Sequence, residues 1–171
     1  MAKIAGLIAL VIVLPVRVSA QPQALQDPLL DHLIGTWVLR GTIDGKGTTH
    51  DVTFDWVLAH QYVRLHEVSR ERDASGQPAY EATVFIGWDA PSGRYACLWL
   101  DSTGGTGISA QAIGYAGRAR SELAFVFKIA DASTFHTTFK YNQAADTWQW
   151  FMDGEERGTR RPFARVTLAK K

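Results

Sequence analysis

From Thr36 onward the chain alternates between apolar and polar residues over short stretches. Within residues 80–101, two runs rich in β-branched and aromatic residues flank residues 89–93, whose Pro and Gly are typical of a turn. Similar but weaker segments recur on both sides at spacings of about ten residues. The pattern predicts a β-hairpin over residues 80–101 within one antiparallel sheet that curls on itself.

Two segments near the start of the alternating region predict the first strand pair. Residues 36–43 and 51–58 each alternate with period two, and the turn sequence DGKG lies between them at 44–47. A four-residue loop there gives one face that is apolar throughout, as a half-buried sheet requires. The predicted cross-strand pairs are Trp37 with Phe54 and Leu39 with Val52.

The next hairpin is predicted with a two-residue turn at Ala59 and His60. This register matches apolar residues on one face and polar residues on the other: Trp56 with Val63, Phe54 with Leu65, Asp55 with Arg64, and Thr53 with His66. Opposite charges that face each other across two strands contribute roughly 0.2–1 kcal/mol. The same register places Glu67 on the apolar face, opposite Val52.

A short helix is predicted before the first strand. Asp27 followed by Pro28 marks a helix start, because Asp caps free backbone N–H groups and Pro fits the first turn. The next apolar residues lie at helical spacing: Leu29, Leu30, Leu33 and Ile34. Gly35 is predicted to end this helix after about two turns.

The later segments complete the sheet. Residues 73–78 and 102–107 are predicted loops, residues 108–117 a weak strand, and residues 159–168 a tenth strand. Alternation places these residues on the apolar face: Val84, Ile86, Trp88, Tyr95, Cys97, Trp99, Asp101, Leu123, Phe125, Phe127, Phe135, Phe139, Tyr141, Trp148, Trp150 and Met152. We therefore predict an all-β fold, an up-and-down antiparallel β-barrel of about ten strands with a short N-terminal helix at one end. A β-sandwich is the alternative.

The N-terminus is typical of a secretory signal peptide. Lys3 precedes an apolar run at 4–14, and Val18, Ser19 and Ala20 supply a small-residue cleavage site. The alternative is a membrane anchor, but the run is about eleven residues long and a spanning helix needs about twenty. We expect cleavage after Ala20 and an exported protein, periplasmic or secreted, without a transmembrane anchor.

The exported chain is nearly neutral. The whole sequence has 18 Lys and Arg against 17 Asp and Glu, and Lys3 and Arg17 leave with the signal peptide. A nucleic-acid partner, which requires a clustered basic surface, is not expected. The predicted division of the chain is a signal peptide at 1–20, a disordered segment at 21–27 and one barrel domain at 28–171.

Cysteine, histidine and glycine provide no motif for a reaction or a cofactor. Cys97 is the only cysteine, and it lies in the middle of an apolar strand with no histidine nearby in sequence, so we expect a buried thiol. The five histidines form no metal-ligand spacing, and no metal or cofactor is predicted. The Gly-rich sequence at 104–107 precedes no helical pattern, which favours a flexible loop over a phosphate site.

Glu67 and Asp101 are the candidate polar groups of the interior. A buried carboxylate is costly unless it is paired or hydrogen-bonded. The functional interpretation is a polar anchor in a cavity, or a general acid or base. The structural interpretation is an ion pair, with Arg161 or Arg165 of the last strand as the suggested partner, or a position near the wet rim of the barrel.

The strands from Trp37 to Trp150 also place many aromatic residues on one face. Such residues fill any barrel, but ten strands enclose a wider interior than eight, so an aromatic-lined pocket is expected. The residues predicted to contact a ligand there are Trp56, Glu67, Trp88, Trp99, Asp101, Phe125, Phe139 and Trp150.

Several short motifs resemble known barrel proteins. Gly35-Thr36-Trp37 after a short helix is similar to the Gly-x-Trp of lipocalin-like (calycin) barrels. The hairpin residues resemble a family of exported bacterial lipocalin-like proteins known only as a domain of unknown function: Tyr80-Glu81, Gly87-Trp88-Asp89, Ser92-Gly93, Tyr95 and Trp99-Leu100-Asp101-Ser102. This resemblance spans about 29–165 and implies a lipocalin-like barrel, but no reaction.

A more distant resemblance in shape is to nitrobindin, a ten-stranded barrel that binds haem through a histidine late in the chain. Here the last histidine is His136, so the resemblance implies no haem site.

Three hypotheses of function remain at this point. The first is an exported protein that binds a small, largely apolar molecule in an aromatic-lined cavity. The second is a hydrolase or isomerase that uses the interior carboxylates. The third is a structural or envelope protein whose barrel is packed solid. The sequence does not indicate the oligomeric state or the ligand.

Overall fold

Ten antiparallel strands form a closed barrel in the computed structural model, which describes residues 24–105 and 107–171. Each strand pairs with the next along the chain, and β10 pairs with β1 to close the barrel. The elements are α1 Pro28–Leu33, β1 Gly35–Ile43, β2 Lys46–Val57, β3 Tyr62–Ser69, β4 Glu81–Asp89, β5 Arg94–Asp101, β6 Ile113–Ala116, β7 Glu122–Ala130, β8 Ser133–Asn142, β9 Thr147–Glu156 and β10 Thr159–Lys170. The predicted all-β, up-and-down barrel with one short helix is confirmed, whereas the predicted signal peptide lies outside the described residues.

The predicted register of β2 and β3 is confirmed. The structure contains the pairs Trp56 with Val63, Phe54 with Leu65, Asp55 with Arg64, Thr53 with His66 and Val52 with Glu67. The hairpin of β4 and β5 also pairs as its alternation predicts, with Ile86 opposite Cys97 and Val84 opposite Trp99. Period-two alternation therefore determines which side chains face the interior.

The predicted register of β1 and β2 is wrong by two residues. The observed pairs are Trp37 with Val52 and Leu39 with His50. The loop has two residues rather than four, and these are Asp44 and Gly45 with φ of 49° and 71°. Two consecutive positive φ angles are typical of a type I′ turn, whose twist matches that of the flanking strands. Because the shift is two residues, Trp37 and Leu39 still face inward and are buried.

Two other connections differ from their predictions. The turn between β2 and β3 spans residues 58–61, although its register is the predicted one, and Leu58, Ala59 and His60 all have positive φ. The predicted strand at 108–117 is largely replaced by a 3-10 helix at Ala110–Ala112, followed by the four-residue β6. Small residues and glycines in this segment give little cross-strand packing that would extend a strand.

Helix α1 covers one end of the barrel. The Asp27 carboxylate accepts a hydrogen bond from the Leu29 N–H at 2.9 Å, as predicted for the helix cap. The helix ends at Leu33, one residue before the predicted Ile34, and the Leu33 carbonyl accepts from the Trp37 indole at 2.7 Å. The Tyr95 hydroxyl donates to the Asp27 carboxylate. Burial, together with this bond, raises the pKa of Tyr95 to about 12, so it remains a donor at neutral pH.

Of the segment predicted to be disordered, residues 24–27 are described, and the Leu25 N–H donates to the His60 carbonyl at 3.0 Å. Within the described parts of the chain, the structure contains no helix of sufficient length and hydropathy to cross a membrane.

The core is aromatic and runs through the middle of the barrel. Phe139 stacks on Trp150 with ring centroids 4.4 Å apart, and Phe54 contacts Phe139 edge to face. Trp99 lies 5.8 Å from Trp150 between centroids. The Trp150 indole N–H donates to the Thr137 hydroxyl at 2.7 Å, so its one polar atom is satisfied. This aromatic layer separates the end covered by α1 from the other end.

Candidate functional site

A cavity of about 660 Å³ opens at the end of the barrel away from α1. It is lined by the start of β2, the ends of β3 and β5, and the loop that follows β5. Its volume is within the range of about 300–1,000 Å³ that is usual for small-molecule sites. The barrel is therefore not packed solid at this end, which argues against the third hypothesis of function.

The innermost polar group of the cavity is a buried pair between neighbouring strands. His50 of β2 is 3% exposed and Glu67 of β3 is 1% exposed. His50 Nδ1 hydrogen-bonds Glu67 Oε1. The suggested pairing of Glu67 with Arg161 or Arg165 is wrong: Arg165 bonds Asp153, and Arg161 is exposed. The sheet order explains this, because β10 lies beside β1 and β9 and not beside β3.

The pair is connected to the rim of the barrel by two further hydrogen bonds. His50 Nε2 lies 2.7 Å from the Thr48 hydroxyl oxygen, and the Thr48 hydroxyl donates to Glu71 Oε2 at 3.0 Å. Two opposing effects act on the pKa of Glu71. Desolvation raises this pKa, but hydrogen bonds from the Glu71 N–H, the Thr49 N–H and the Thr48 hydroxyl have the larger combined effect, and the pKa is lowered overall. Glu71 is thus a carboxylate that only accepts, which requires Thr48 to donate to it.

This order of donors determines which ring nitrogens of His50 carry a proton. Because the Thr48 hydrogen is directed to Glu71, its oxygen accepts from the His50 Nε2–H. The Nδ1 of His50 then shares one proton with Glu67 Oε1, and we assign the His50–Glu67 pair as neutral overall. The four side chains form a continuous hydrogen-bonded chain from the interior to the rim of the barrel.

A second polar group lies beside the first. The Trp99 indole N–H is 3.2 Å from both the Tyr80 hydroxyl oxygen and Asp101 Oδ2. The Tyr80 hydroxyl is 3.5 Å from the same Asp101 oxygen, and the Tyr80 ring stacks on His50 with centroids 5.9 Å apart. Burial, and then the charges of Glu67 and Asp101, raise the pKa of Tyr80.

One oxygen of this site has no partner. Glu67 Oε2 is buried and accepts no hydrogen bond from any described residue, while Oε1 is bonded to His50. A buried polar atom without a partner costs about 1–3 kcal/mol. Glu67 lines the cavity. A hydrogen-bond donor on a bound molecule would satisfy this oxygen.

The structure brings together three of the eight predicted ligand-contacting residues. Glu67, Trp99 and Asp101 line the cavity. Phe125, Phe139 and Trp150 are fully buried in the core and do not line it, while Trp56 and Trp88 lie towards the α1 end. Trp88 borders a second, smaller hollow of about 410 Å³, where Arg118 lies 4.6 Å above its ring centroid.

Sequence reasoning missed His50, Thr48 and Tyr80. The signal for His50 was present, because it has the same parity as Val52 and Phe54, both of which were predicted to face inward. Tyr80 precedes β4, and its orientation depends on a loop whose geometry has no periodic pattern.

The described residues contain no group of three or more His, Cys, Asp and Glu side chains placed to hold a metal ion. Cys97 is fully buried, and this burial raises the pKa of its thiol. The predicted buried, unreactive thiol therefore agrees with its environment.

No family model matches the chain, and no curated protein matches it significantly. The resemblance to exported lipocalin-like barrels stays a prediction.

Proposed function

We propose that this protein binds a small, largely apolar molecule in the open end of its barrel. The observation that carries the proposal is a cavity of about 660 Å³ whose lining is mostly apolar but includes Glu67, one of whose carboxylate oxygens is buried without a partner. Apolar walls with a few convergent polar groups are typical of small-molecule sites.

The proposal is tested by titration with N-phenyl-1-naphthylamine, an uncharged dye that fluoresces more strongly in apolar surroundings. We expect saturable binding that 1-octanol displaces. Met152→Trp adds bulk at a cavity-lining position and should weaken dye binding by about tenfold, or about 1.4 kcal/mol. Val126→Trp, at an exposed position on β7, is the matched control and should leave binding unchanged. Equal binding by both variants, or no saturable binding, would contradict the proposal.

A second candidate function is proton transfer by Glu67, one form of the hydrolase or isomerase hypothesis. It is favoured by the hydrogen-bonded path from Glu67 through His50 and Thr48 to Glu71. A base that receives a proton in an apolar cavity needs such a route to solvent. Glu67 Oε2 would take the substrate proton, and the path would pass a proton on to the exposed Glu71.

The generic probe 5-nitrobenzisoxazole tests this second candidate. A base removes its C3 proton, the N–O bond breaks, and the electron pair passes to the leaving oxygen of 2-cyano-4-nitrophenolate, which is coloured. The wild type should accelerate the reaction, and Glu67→Gln should abolish the acceleration. Glu81→Gln is the control, since Glu81 forms an exposed pair with His66 at 2.8 Å on the outside of the barrel. Equal rates for both variants would exclude Glu67 as the base.

We also propose that the protein is exported and lies in the periplasm or outside the cell. The support is the order of a charged residue, a short apolar run and small residues within positions 1–20. N-terminal sequencing of the protein from its host should begin at Gln21. A mature protein that begins at Met1 would contradict export by cleavage.

A further inference from the structure

The charged groups that line the cavity are mainly acidic. Among its described lining residues, Glu67, Glu71 and Asp101 are carboxylates, and Lys46 on the rim is the basic residue apart from His50. His50 shares its proton with Glu67, which makes that pair neutral as a unit. Glu71 and Asp101 therefore outnumber Lys46, and no arginine is present among these residues to attract an anion.

Aromatic rings also line the cavity. The described lining includes five of them: Tyr80, Trp99, Phe127, Phe135 and Phe163. Tyr80 and Trp99 are directly joined by the indole N–H at 3.2 Å, and both contact the Asp101 carboxylate. The face of an aromatic ring is electronegative and attracts a cation, most strongly when the site is partly desolvated.

Tyr80 connects the two inner carboxylates of the cavity: its ring stacks on His50, which bonds Glu67, and its hydroxyl lies 3.5 Å from Asp101 Oδ2. Burial, and then the charges of Glu67 and Asp101, raise the pKa of Tyr80, so its hydroxyl keeps its proton at neutral pH. Glu67 is one of the lining residues, and its Oε2 is buried without a partner. A bound group placed here meets two carboxylates, one unsatisfied acceptor and two ring faces.

We infer that the cavity takes an organic ammonium ion, an amine with an apolar body. The N–H groups of the amine would donate to Glu67 Oε2, and its charge would lie near the Asp101 carboxylate and against the faces of Tyr80 and Trp99. The apolar body would contact Phe127, Phe135 and the rest of the wall. This inference rests on the proposed binding function and specifies the chemical class of the ligand.

Three probes with the same eight-carbon chain separate charge from apolar contact: octylamine, 1-octanol and octanoate. Binding is measured at pH 7 by isothermal titration calorimetry and by the fluorescence of the tryptophans. We expect octylamine to bind about 10-fold or more tightly than 1-octanol, because hydrogen bonds to charged groups are stronger than neutral ones, and octanoate to bind most weakly.

Two conservative variants identify the groups responsible. Glu67→Gln and Asp101→Asn should each weaken octylamine binding by about tenfold and change 1-octanol binding by less than about twofold. Glu81→Gln on the outer surface should change neither. Circular dichroism checks that each variant is folded. If Glu67→Gln is not folded, Asp101→Asn provides the test, because Asp101 is only half-buried and lies at the end of a strand.

The possible outcomes distinguish the two proposals. Equal affinity for all three probes, or tighter binding of octanoate, overturns the ammonium inference but leaves apolar ligand binding in place. A preference for octylamine that persists in both variants also overturns it, because the carboxylates would not be its cause. Failure of all three probes to bind overturns the proposed binding function as well.

Discussion

At the scale of single residues, the pair of His50 and Glu67 determines the chemistry of the cavity. Both side chains are almost completely buried, and their polar atoms hydrogen-bond each other. Because the partner of Glu67 is an imidazole that shares its proton, removal of Glu67 leaves an unsatisfied donor and not a permanent charge. The energetic consequence is smaller than for the arginine pair considered from the sequence.

Glu67→Leu should therefore lower the free energy of unfolding by roughly 1–3 kcal/mol, less than the 3–5 kcal/mol of a stranded charge. His50→Leu should have a similar effect, and the double variant should lose less than the sum of the two. Urea unfolding measures all four proteins. The exposed pair of His66 and Glu81 is the control and should contribute at most about 1 kcal/mol. Additive effects at His50 and Glu67 would show that the pair is not coupled.

The pH dependence of stability includes a contribution from Asp51 on the outer surface. Hydrogen bonds from Arg70 and Lys171 lower the pKa of Asp51 from 3.8 to about 2, against the effect of desolvation. Because the folded-state pKa is lowered, the stabilisation is complete above about pH 4 and is lost as the pH falls towards 2.

Asp51→Asn should consequently destabilise the protein by about 0.2–1 kcal/mol at pH 6, as is usual for an exposed pair. The difference in the free energy of unfolding between the variant and the wild type should shrink steadily below about pH 4. Urea unfolding at several pH values between 2.5 and 6 measures it. A difference that stays constant over this range would contradict the assignment.

The sequence predicted the inward position of Glu67 but not the identity of its hydrogen-bond partner. Alternation along β3 has period two, so the inward position of Glu67 follows directly from its apolar neighbours. Its partner is a diagonal neighbour, since His50 faces Ser69 while Val52 faces Glu67. A register gives opposite positions, and the choice among diagonal contacts depends on side-chain conformations that no periodicity specifies.

At the scale of elements, one glycine allows β1 and β10, whose pairing completes the barrel, to lie very near each other. Gly41 of β1 has φ of 151°, and a Cβ atom there would lie 2.2 Å from the Arg165 carbonyl oxygen of β10. Both the backbone angle and the contact exclude an ordinary side chain. Because the obstructing atom is backbone, a side-chain movement cannot relieve the contact.

Gly41→Ala should lower the free energy of unfolding by about 2–4 kcal/mol, from strain at this φ and from displacement of β10. Gly154→Ala is the matched control: it also lies in a strand, its φ is not positive, and no heavy atom lies within 4 Å of its added Cβ. Chemical unfolding of both variants measures the difference. Comparable stability of the two variants would contradict close packing at Gly41.

The connections show which elements sequence patterns predict poorly. Asp44 and Gly45 form a two-residue turn whose Asp-Gly sequence is a known type I′ signal, so the register of β1 and β2 was available from turn chemistry. By contrast, Leu58, Ala59 and His60 adopt positive φ without any glycine. Tertiary contacts impose that conformation, and local sequence does not encode it.

At the scale of the whole molecule, the barrel has two ends with different roles. Residues of α1 and Asp27 cover one end through hydrogen bonds to Trp37 and Tyr95. The aromatic layer around Phe139 and Trp150 fills the middle, and the cavity occupies the other end. Strand number and inward aromatic positions were predictable, but the cavity's place was not. It depends on how far each ring reaches across the barrel.

This division predicts that stability and binding can be changed separately. Asp27→Ala removes the cap of α1 and leaves the buried Tyr95 hydroxyl without its acceptor, so it should cost roughly 2–4 kcal/mol. Asp31→Ala is the control on the same helix. The Asp31 carboxylate accepts a hydrogen bond from the Trp56 indole at 3.0 Å in an exposed contact, so its loss should cost less than about 1 kcal/mol.

Affinity for N-phenyl-1-naphthylamine, measured well below the melting temperature of each variant, should remain within about twofold of the wild type in both proteins. The aromatic layer between the two ends is close-packed, so we expect its side chains to hold their positions whether or not α1 is capped. A tenfold loss of affinity in folded Asp27→Ala would show instead that the helix end and the cavity are coupled through that layer. The barrel would then respond to ligand as one unit, and occupation of the cavity should raise the stability of α1 to the same extent.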